Sequence, residues 1–370
     1  MKTVKDIKII LHKPGENKNP MVAKFKDSNN AIVYIYNDEN ELLEYLHEIQ
    51  GKGYKSKEVI VFKEYRGRLF QKCPGSPNVI CCNYYLINTC FDCLYNCSYC
   101  FLNSYLNSFG MTQFTNISTV VSEIKALPAD NVYRIGTGEF TDSLMFDEIT
   151  GVATSLIKSL ASLSHIILEF KTKSSNIDHL LDISKKGNTV LAWSLNTKKN
   201  IGDAEEDTAD LYERLEAAKK AVQAGYYLAF HFDPIIIYNG FLEDYYEVID
   251  LLFSTIPHNK IMWISMGGFR YAPGFKEIVR QKFPNEQLTT GEFFPGEDGK
   301  YRYLKPQRIE IYKMFREKIL SYTNYPYVYL CMESHSVWKK VFNTDFSSND
   351  DLEAAFLAHI EKKFNIQTNF

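Results

Sequence analysis

The stretch Cys93-Leu94-Tyr95-Asn96-Cys97-Ser98-Tyr99-Cys100 sets three thiols in the spacing C-x-x-x-C-x-x-C. Thiolates hold iron–sulfur clusters, and a cubane cluster carries four irons. Three protein ligands therefore leave one iron open to a substrate or cofactor. A zinc site normally separates its two cysteine pairs by about 12 or more residues. Cys90, Cys93, Cys97 and Cys100 are too crowded to wrap one tetrahedral ion. A closed cluster with Cys90 as fourth ligand stays open as an alternative, since ferredoxin ligands are spaced as tightly. Tyr99 and Phe101 flank the last cysteine, where they would shield a cluster from water and oxygen. Cys73, Cys81, Cys82 and Cys331 lack such spacing and read as buried free thiols.

With 370 residues, the chain has room for one large body with appendages or for two to three domains. Its 45% hydrophobic and 24% charged residues are those of an ordinary soluble protein. No apolar run approaches the ~18 residues of a membrane span, and no signal or transit peptide is apparent. The reading is a chain with no membrane partner, kept in a reducing cytoplasm where an oxygen-sensitive cluster survives. A net charge of −3 does not advertise nucleic-acid binding.

Outward from the cysteines, residues 1–75 read as an N-terminal α/β module. Strand-like runs at Ile7–Leu11, Ala31–Tyr36 and Glu58–Phe62 surround a helical period at Asn40–Ile49. Cys73-Pro74-Gly75-Ser76-Pro77 breaks the pattern and marks a boundary. Strand-like runs then recur at 83–89, 131–137, 165–171, 189–195, 226–232 and 260–266, with helical stretches such as Thr119–Leu127 and Ala209–Ala224 between them. Strands alternating with helices predict parallel β/α units. Six units suit a partial (β/α)6 barrel over residues 76–270, with active-site groups at the C-terminal strand ends. The cysteine loop follows the first strand. Residues 271–370 form an aromatic and basic C-terminal extension, in which Asp298-Gly299 signals a hairpin near 293–305.

The cysteine motif resembles that of the radical S-adenosylmethionine (SAM) superfamily. More narrowly, the chain resembles the spore photoproduct lyase family over most of its length after residue 70. The resemblance is carried by Cys93 to Leu102, Arg134 to Asp142, Phe170-Lys171-Thr172-Lys173, Ser194-Leu195-Asn196 and Arg214 to Tyr226. It implies a partial barrel and a [4Fe-4S] cluster on Cys93, Cys97 and Cys100. It further implies SAM as cofactor, cleaved to a 5′-deoxyadenosyl radical, and a flavodoxin or ferredoxin as electron donor. A nucleobase or DNA photolesion is the substrate implied.

The expected SAM contacts stand at strand ends. Gly136-Thr137-Gly138-Glu139 occupies the place of the superfamily's glycine-rich turn. Glycine lets backbone approach a ligand, and the Glu139 carboxylate suits an amino group. Lys173 suits the SAM carboxylate through a charge-assisted hydrogen bond. Ser194 and Asn196 offer hydrogen bonds at the fourth strand end. His231 and Asp233 share a side of the fifth strand, either meeting ligand or pairing with each other.

Two positions depart from the lyase. Aligning Arg134 and Asp142 puts Glu139 where the lyase has its hydrogen-donating cysteine, and Phe101 replaces a tyrosine of its radical relay. Tyr99 is retained. Tyr99 and Glu139 are the candidate catalytic residues. Seven basic residues between Lys300 and Lys318, interleaved with Tyr301, Tyr303 and Tyr312, suit phosphates and bases. Arg308–Lys318 reads rather as a solvated helix face, and Lys300–Lys305 either as a substrate-edge hairpin or as ordinary surface. A small molecule or peptide as substrate, or a non-catalytic iron–sulfur protein, are the alternatives.

Overall fold

The computed structural model describes residues 1–364. At its centre lies an eight-stranded sheet. Its order is Tyr327–Leu330, Ile261–Gly268, Tyr227–Ile235, Asn188–Ser194, Ile166–Thr172, Tyr133–Gly136, Tyr85–Ile87 and Phe70–Lys72. Phe70–Lys72 runs antiparallel at the edge and the rest are parallel. We call the parallel strands the first to seventh barrel strands in chain order, beginning at Tyr85–Ile87. The first six are those expected from the sequence. The seventh, Tyr327–Leu330, was hidden because it is short and follows a hairpin and the helix Lys305–Leu320, outside the regular β/α alternation.

The sheet is strongly curled into a partial barrel. Glu169 on the third strand accepts hydrogen bonds from His231 on the fifth (2.8 Å) and from Trp263 Nε1 on the sixth (3.0 Å). Side chains so far apart in the strand order meet only across a concave face. Outside, helices cover the convex face. Leu211–Gln223 starts at a capping box between Asp210 and Glu213 and buries Leu211, Leu215, Ala218 and Ala221 on one side. Gly225 then takes a left-handed φ of +91° and turns the chain into the fifth strand. The helix Asn349–Phe364 closes the open side: Phe356 packs on Trp263, Tyr327 and Tyr329, and the Arg134 guanidinium lies 3.9 Å from its ring centre. No helix among the described residues is long and apolar enough to cross a membrane.

A second sheet, of order Ile32–Ile35, Ile9–His12, Val59–Lys63, Met111–Phe114 and Cys90–Phe91, carries the expected N-terminal strands. Its last two strands come from beyond residue 75. Cys90–Phe91 pairs antiparallel with Met111–Phe114, so the chain enters the cysteine loop directly from this sheet. The Asp298-Gly299 turn signal is matched by pairing of Phe294–Pro295 with Tyr301–Arg302, which Arg270–Tyr271 joins on its other side.

Candidate cofactor and substrate site

Cys93, Cys97 and Cys100 lie in the loop after the first barrel strand, at the C-terminal rim. Two braces hold that loop. Lys57, in the helical turn Ser56–Glu58 that leads into the N-terminal sheet, pairs with Asp92, whose carboxylate accepts the Cys93 N–H at 2.8 Å. On the other side Asn96–Cys97 pairs antiparallel with Glu205–Glu206. Burial pushes the Cys97 thiol up to about 12, against the pull of the Lys173 ammonium nearby. Cys93 and Cys100 are likewise raised chiefly by burial, and each feels Lys57. Bound metal, by its own charge, is what would hold such thiols as thiolates.

Cys90 is turned elsewhere. It sits in the N-terminal sheet, buried, with its sulfur 3.5 Å from the Phe91 carbonyl and 3.6 Å from that of Asp92. Among the described residues no three His, Cys, Asp or Glu side chains close around a point as ligands of one metal ion. Three thiols in a braced loop, Cys97 buried and Cys93 and Cys100 partly open, fit the wider footprint of an iron–sulfur cluster with one iron left free.

Beside the loop, the second strand ends in the glycine turn. A side chain at Gly136 would strike the Tyr84 hydroxyl, 1.4 Å from the ideal Cβ position, so this glycine makes room for Tyr84. At Gly138 the missing side chain leaves space against Ser143 Oγ (3.1 Å) and the Lys171 Cβ (3.2 Å). Thr137 Oγ1 and Ser143 Oγ are buried here without a hydrogen-bond partner among the described residues. Buried hydroxyls ordinarily find partners, and two orphans at one turn fit a polar ligand such as SAM. Asp142 ties the turn to the third strand, accepting from Leu144 N (3.0 Å), Thr172 Oγ1 (2.7 Å) and Lys173 N (2.7 Å). Glu139 stands half-buried, next to Phe140, whose ring centre is 6.2 Å from that of Phe101.

Lys173 reaches the cluster loop, 5.6 Å from the Tyr99 ring centre. Burial works against its charge, but Cys97 and Glu205 outweigh it and raise the pKa. Tyr99 donates to Glu205, which also meets Arg214. Burial pushes the Glu205 carboxyl up, yet Arg214 and Lys173 hold it below the usual range. Asn196 belongs to the same network: its amide donates to Glu205 (3.2 Å), and its carbonyl accepts from Thr197 N, Asn200 and Tyr245. Ser194 stands in register with His231 and gives its backbone carbonyl to Arg214 (2.9 Å). Sequence reasoning missed Glu205 because its two-residue strand is too short to show a period; the hint was Arg214, a charge on the inner side of an amphipathic helix.

The structure removes one alternative and corrects one expectation. His231 and Asp233 do not pair. A rise of ~3.3 Å per residue puts them in different layers of the barrel. His231 bridges Ser265 (2.6 Å) and Glu169 (2.8 Å), while Asp233 binds Arg270 (2.9 and 3.2 Å). Nor is Arg308 on a solvated face. In the helix Lys305–Leu320 it turns inward to Glu333 (2.9 Å), joined by Tyr312 (2.8 Å). Arg302 is buried against Asp298, and Tyr303 and Tyr312 are buried too, which removes them from any base-stacking surface.

Comparison with known proteins accords with this geometry. The family model described as spore photoproduct lyase matches residues 78–328. The chain belongs to the spore photoproduct lyase family. Spore photoproduct lyase of Geobacillus sp. (strain Y412MC61) is 26% identical over 225 residues, 56% of this chain and 63% of that protein. The Bacillus subtilis (strain 168) enzyme is 26% identical over 219 residues, with the same coverage of each. The chain thus spans less than two thirds of these relatives' length. The Clostridium acetobutylicum protein is 22% identical over 284 residues, 73% of this chain and 82% of its own. A solved spore photoproduct lyase in complex with dinucleoside spore photoproduct has a TM-score of 0.74 at 22% identity, covering 88% of this chain and 98% of that one. A variant with bound AdoMet and dinucleoside spore photoproduct gives 0.73, over 87% and 98%. At such identity the likeness establishes the shared fold.

Proposed function

We propose that this protein is a radical SAM enzyme acting on a nucleobase or DNA photolesion. The observation that carries the reading is the convergence of the three-cysteine loop, Lys173 and the glycine turn at one rim of the partial barrel. Cys93, Cys97 and Cys100 would hold a [4Fe-4S] cluster. When bound, the cluster and SAM supply the 5′-deoxyadenosyl radical, after one electron from a flavodoxin or ferredoxin. The chain's own residues bind and orient. Lys173 takes the SAM carboxylate, and Thr137, Ser143 and the Gly138 backbone line the bed of its methionine part. Glu139 faces its amino group. Ser194 and His231 border the site from the fourth and fifth strands, with Asn196 fixing the walls through Glu205. Tyr99, held by Glu205, screens the cluster from water. In this reading residues 1–75 brace the cluster loop, 76–270 form the catalytic barrel and 271–370 carry the substrate-edge hairpin. Eight free thiols suit a reducing cytoplasm.

A second reading, a small-molecule or peptide substrate, is favoured by Glu139 and Phe101 at the lyase's donor positions and by the inward turn of Arg302 and Arg308. Anaerobic reconstitution followed by SAM, dithionite and a panel of UV-irradiated DNA and nucleosides separates the two. Repair of a DNA lesion supports the first reading. Formation of 5′-deoxyadenosine with every nucleic-acid probe unchanged favours the second.

A further inference from the structure

The strand Ile32–Ile35 closes one edge of the N-terminal sheet and pairs only with Ile9–His12. Ile32 and Tyr36 give their N–H groups inward, to the carbonyls of Lys8 (2.8 Å) and His12 (3.2 Å). Strand alternation then turns the N–H and C=O groups of Val33 and Ile35 outward, where no strand meets them among the described residues. The edge is also apolar: Ile32, Val33 and Ile35 are 52%, 36% and 44% exposed. Folded proteins blunt a free edge with lysine, proline, a bulge or a covering element. Ile32-Val33-Tyr34-Ile35 has none of these. The strand also lies outside residues 78–328, which match the lyase family model.

Charge points to the partner. At the N-terminal end of the strand Lys8, Lys24 and Lys26 outnumber Asp27. At its C-terminal end Asp38, Glu39 and Glu41 outnumber Lys13 and Lys63. The two ends therefore carry opposite signs. A second copy laid antiparallel sets each basic end beside an acidic one, whereas a parallel copy sets like against like.

We propose that Ile32–Ile35 pairs antiparallel with the same strand of a second copy, joining two five-stranded sheets into one. The two-fold axis passes through Tyr34. Val33 of each copy then faces Ile35 of the other, and each such pair exchanges both of its backbone hydrogen bonds. Tyr34 meets its own counterpart in a non-hydrogen-bonded pair, with Cα atoms about 4.5 Å apart. The contact is isologous and closed, so it stops at a dimer. Cys90–Phe91, which leads into the cysteine loop, is the far edge of the same sheet. The two cysteine loops therefore stand at the outer ends of the joined sheet, about 40 Å apart from the spacing of its strands, and clear of the interface.

Sedimentation of the reconstituted protein over a concentration series tests this. The pairing is short and belongs with the weaker specific contacts, so a reversible monomer–dimer equilibrium is expected, with no larger species. Val33→Lys and Ile35→Lys each put a charge on the free edge and should weaken the dimer at least about tenfold. The double variant sets lysine opposite lysine and should weaken it further. Both side chains are exposed, so circular dichroism should be unchanged. Tyr34→Cys reads the register without relying on the lysine variants: a disulfide can close at that Cα spacing. Mild anaerobic oxidation with glutathione disulfide should give a covalent dimer linked at position 34, absent from the unsubstituted protein. A monomer at every concentration, a dimer untouched by the double substitution, or no link at position 34 would overturn the proposal. So would a monomer whose residues 32–35 gain protection from amide exchange only when flavodoxin is added, which would give the edge to another partner.

Discussion

The Lys173 ammonium lies 5.6 Å from the centre of the Tyr99 ring, and Tyr99 gives its hydroxyl to Glu205. The end of the third barrel strand is thereby joined to the cysteine loop, and a cation is held beside the thiols. Lys173→Met should leave cluster absorbance intact and weaken SAM binding by about tenfold or more, the worth of one hydrogen bond to a charged group. Equilibrium dialysis with the reconstituted protein checks this. Unchanged SAM affinity would remove Lys173 from the site.

The pair Arg214–Glu205 has both side chains inside the protein. Arg214→Met strands a buried carboxylate and should cost about 3–5 kcal/mol, read by urea unfolding. Adding Glu205→Gln removes the orphaned charge and should recover part of the loss.

Gly136 is required by contact. An alanine there meets the buried Tyr84 hydroxyl, whose neighbour is the Glu169 carboxylate. Gly136→Ala should destabilise the protein by about 1–3 kcal/mol, the usual cost of overpacking, seen as a lower urea midpoint at unchanged slope.

Acid sensitivity follows from Glu169. Burial raises its carboxyl, but His231, with help from Lys171 and Tyr84, outweighs burial and brings the pKa down from 4.5 to about 2. A depressed carboxylate adds stability at pH above its unfolded value, and that stability is lost as pH falls through the folded one. The window is therefore about pH 4.5 to 2, worth about 3 kcal/mol by linkage. Glu169→Gln should be less stable than the parent at pH 6, and the gap should narrow towards pH 2. A gap constant across this range would contradict the assignment.

Much of this was legible in the chain. Six barrel strands announced themselves through apolar runs between helical periods, and the cysteine spacing located the loop. The seventh strand was not legible, because Tyr327–Leu330 is short and follows the C-terminal hairpin and helix in place of a regular β/α repeat. The use made of polar residues was the harder part. His231 and Asp233 look like partners along one strand, but strand register brings Ser265 and the curl of the sheet brings Glu169 to the first, while Arg270 takes the second. Likewise Arg302 and Arg308 read as a basic surface until Glu333 and Asp298, remote or turned inward, claim them. Such pairings depend on which strands face one another, and strand spacing in sequence does not encode that.

The central claim is that three cysteines, with Cys90 excluded, hold a cluster that opens SAM. Anaerobic reconstitution of the parent, Cys90→Ala and Cys97→Ala, followed by dithionite and SAM, tests it most directly through iron content and 5′-deoxyadenosine formed. The account predicts about four irons per chain and 5′-deoxyadenosine for the parent and Cys90→Ala, with neither for Cys97→Ala. Loss of the cluster in Cys90→Ala, or an intact cluster in the parent that leaves SAM uncleaved, would contradict it.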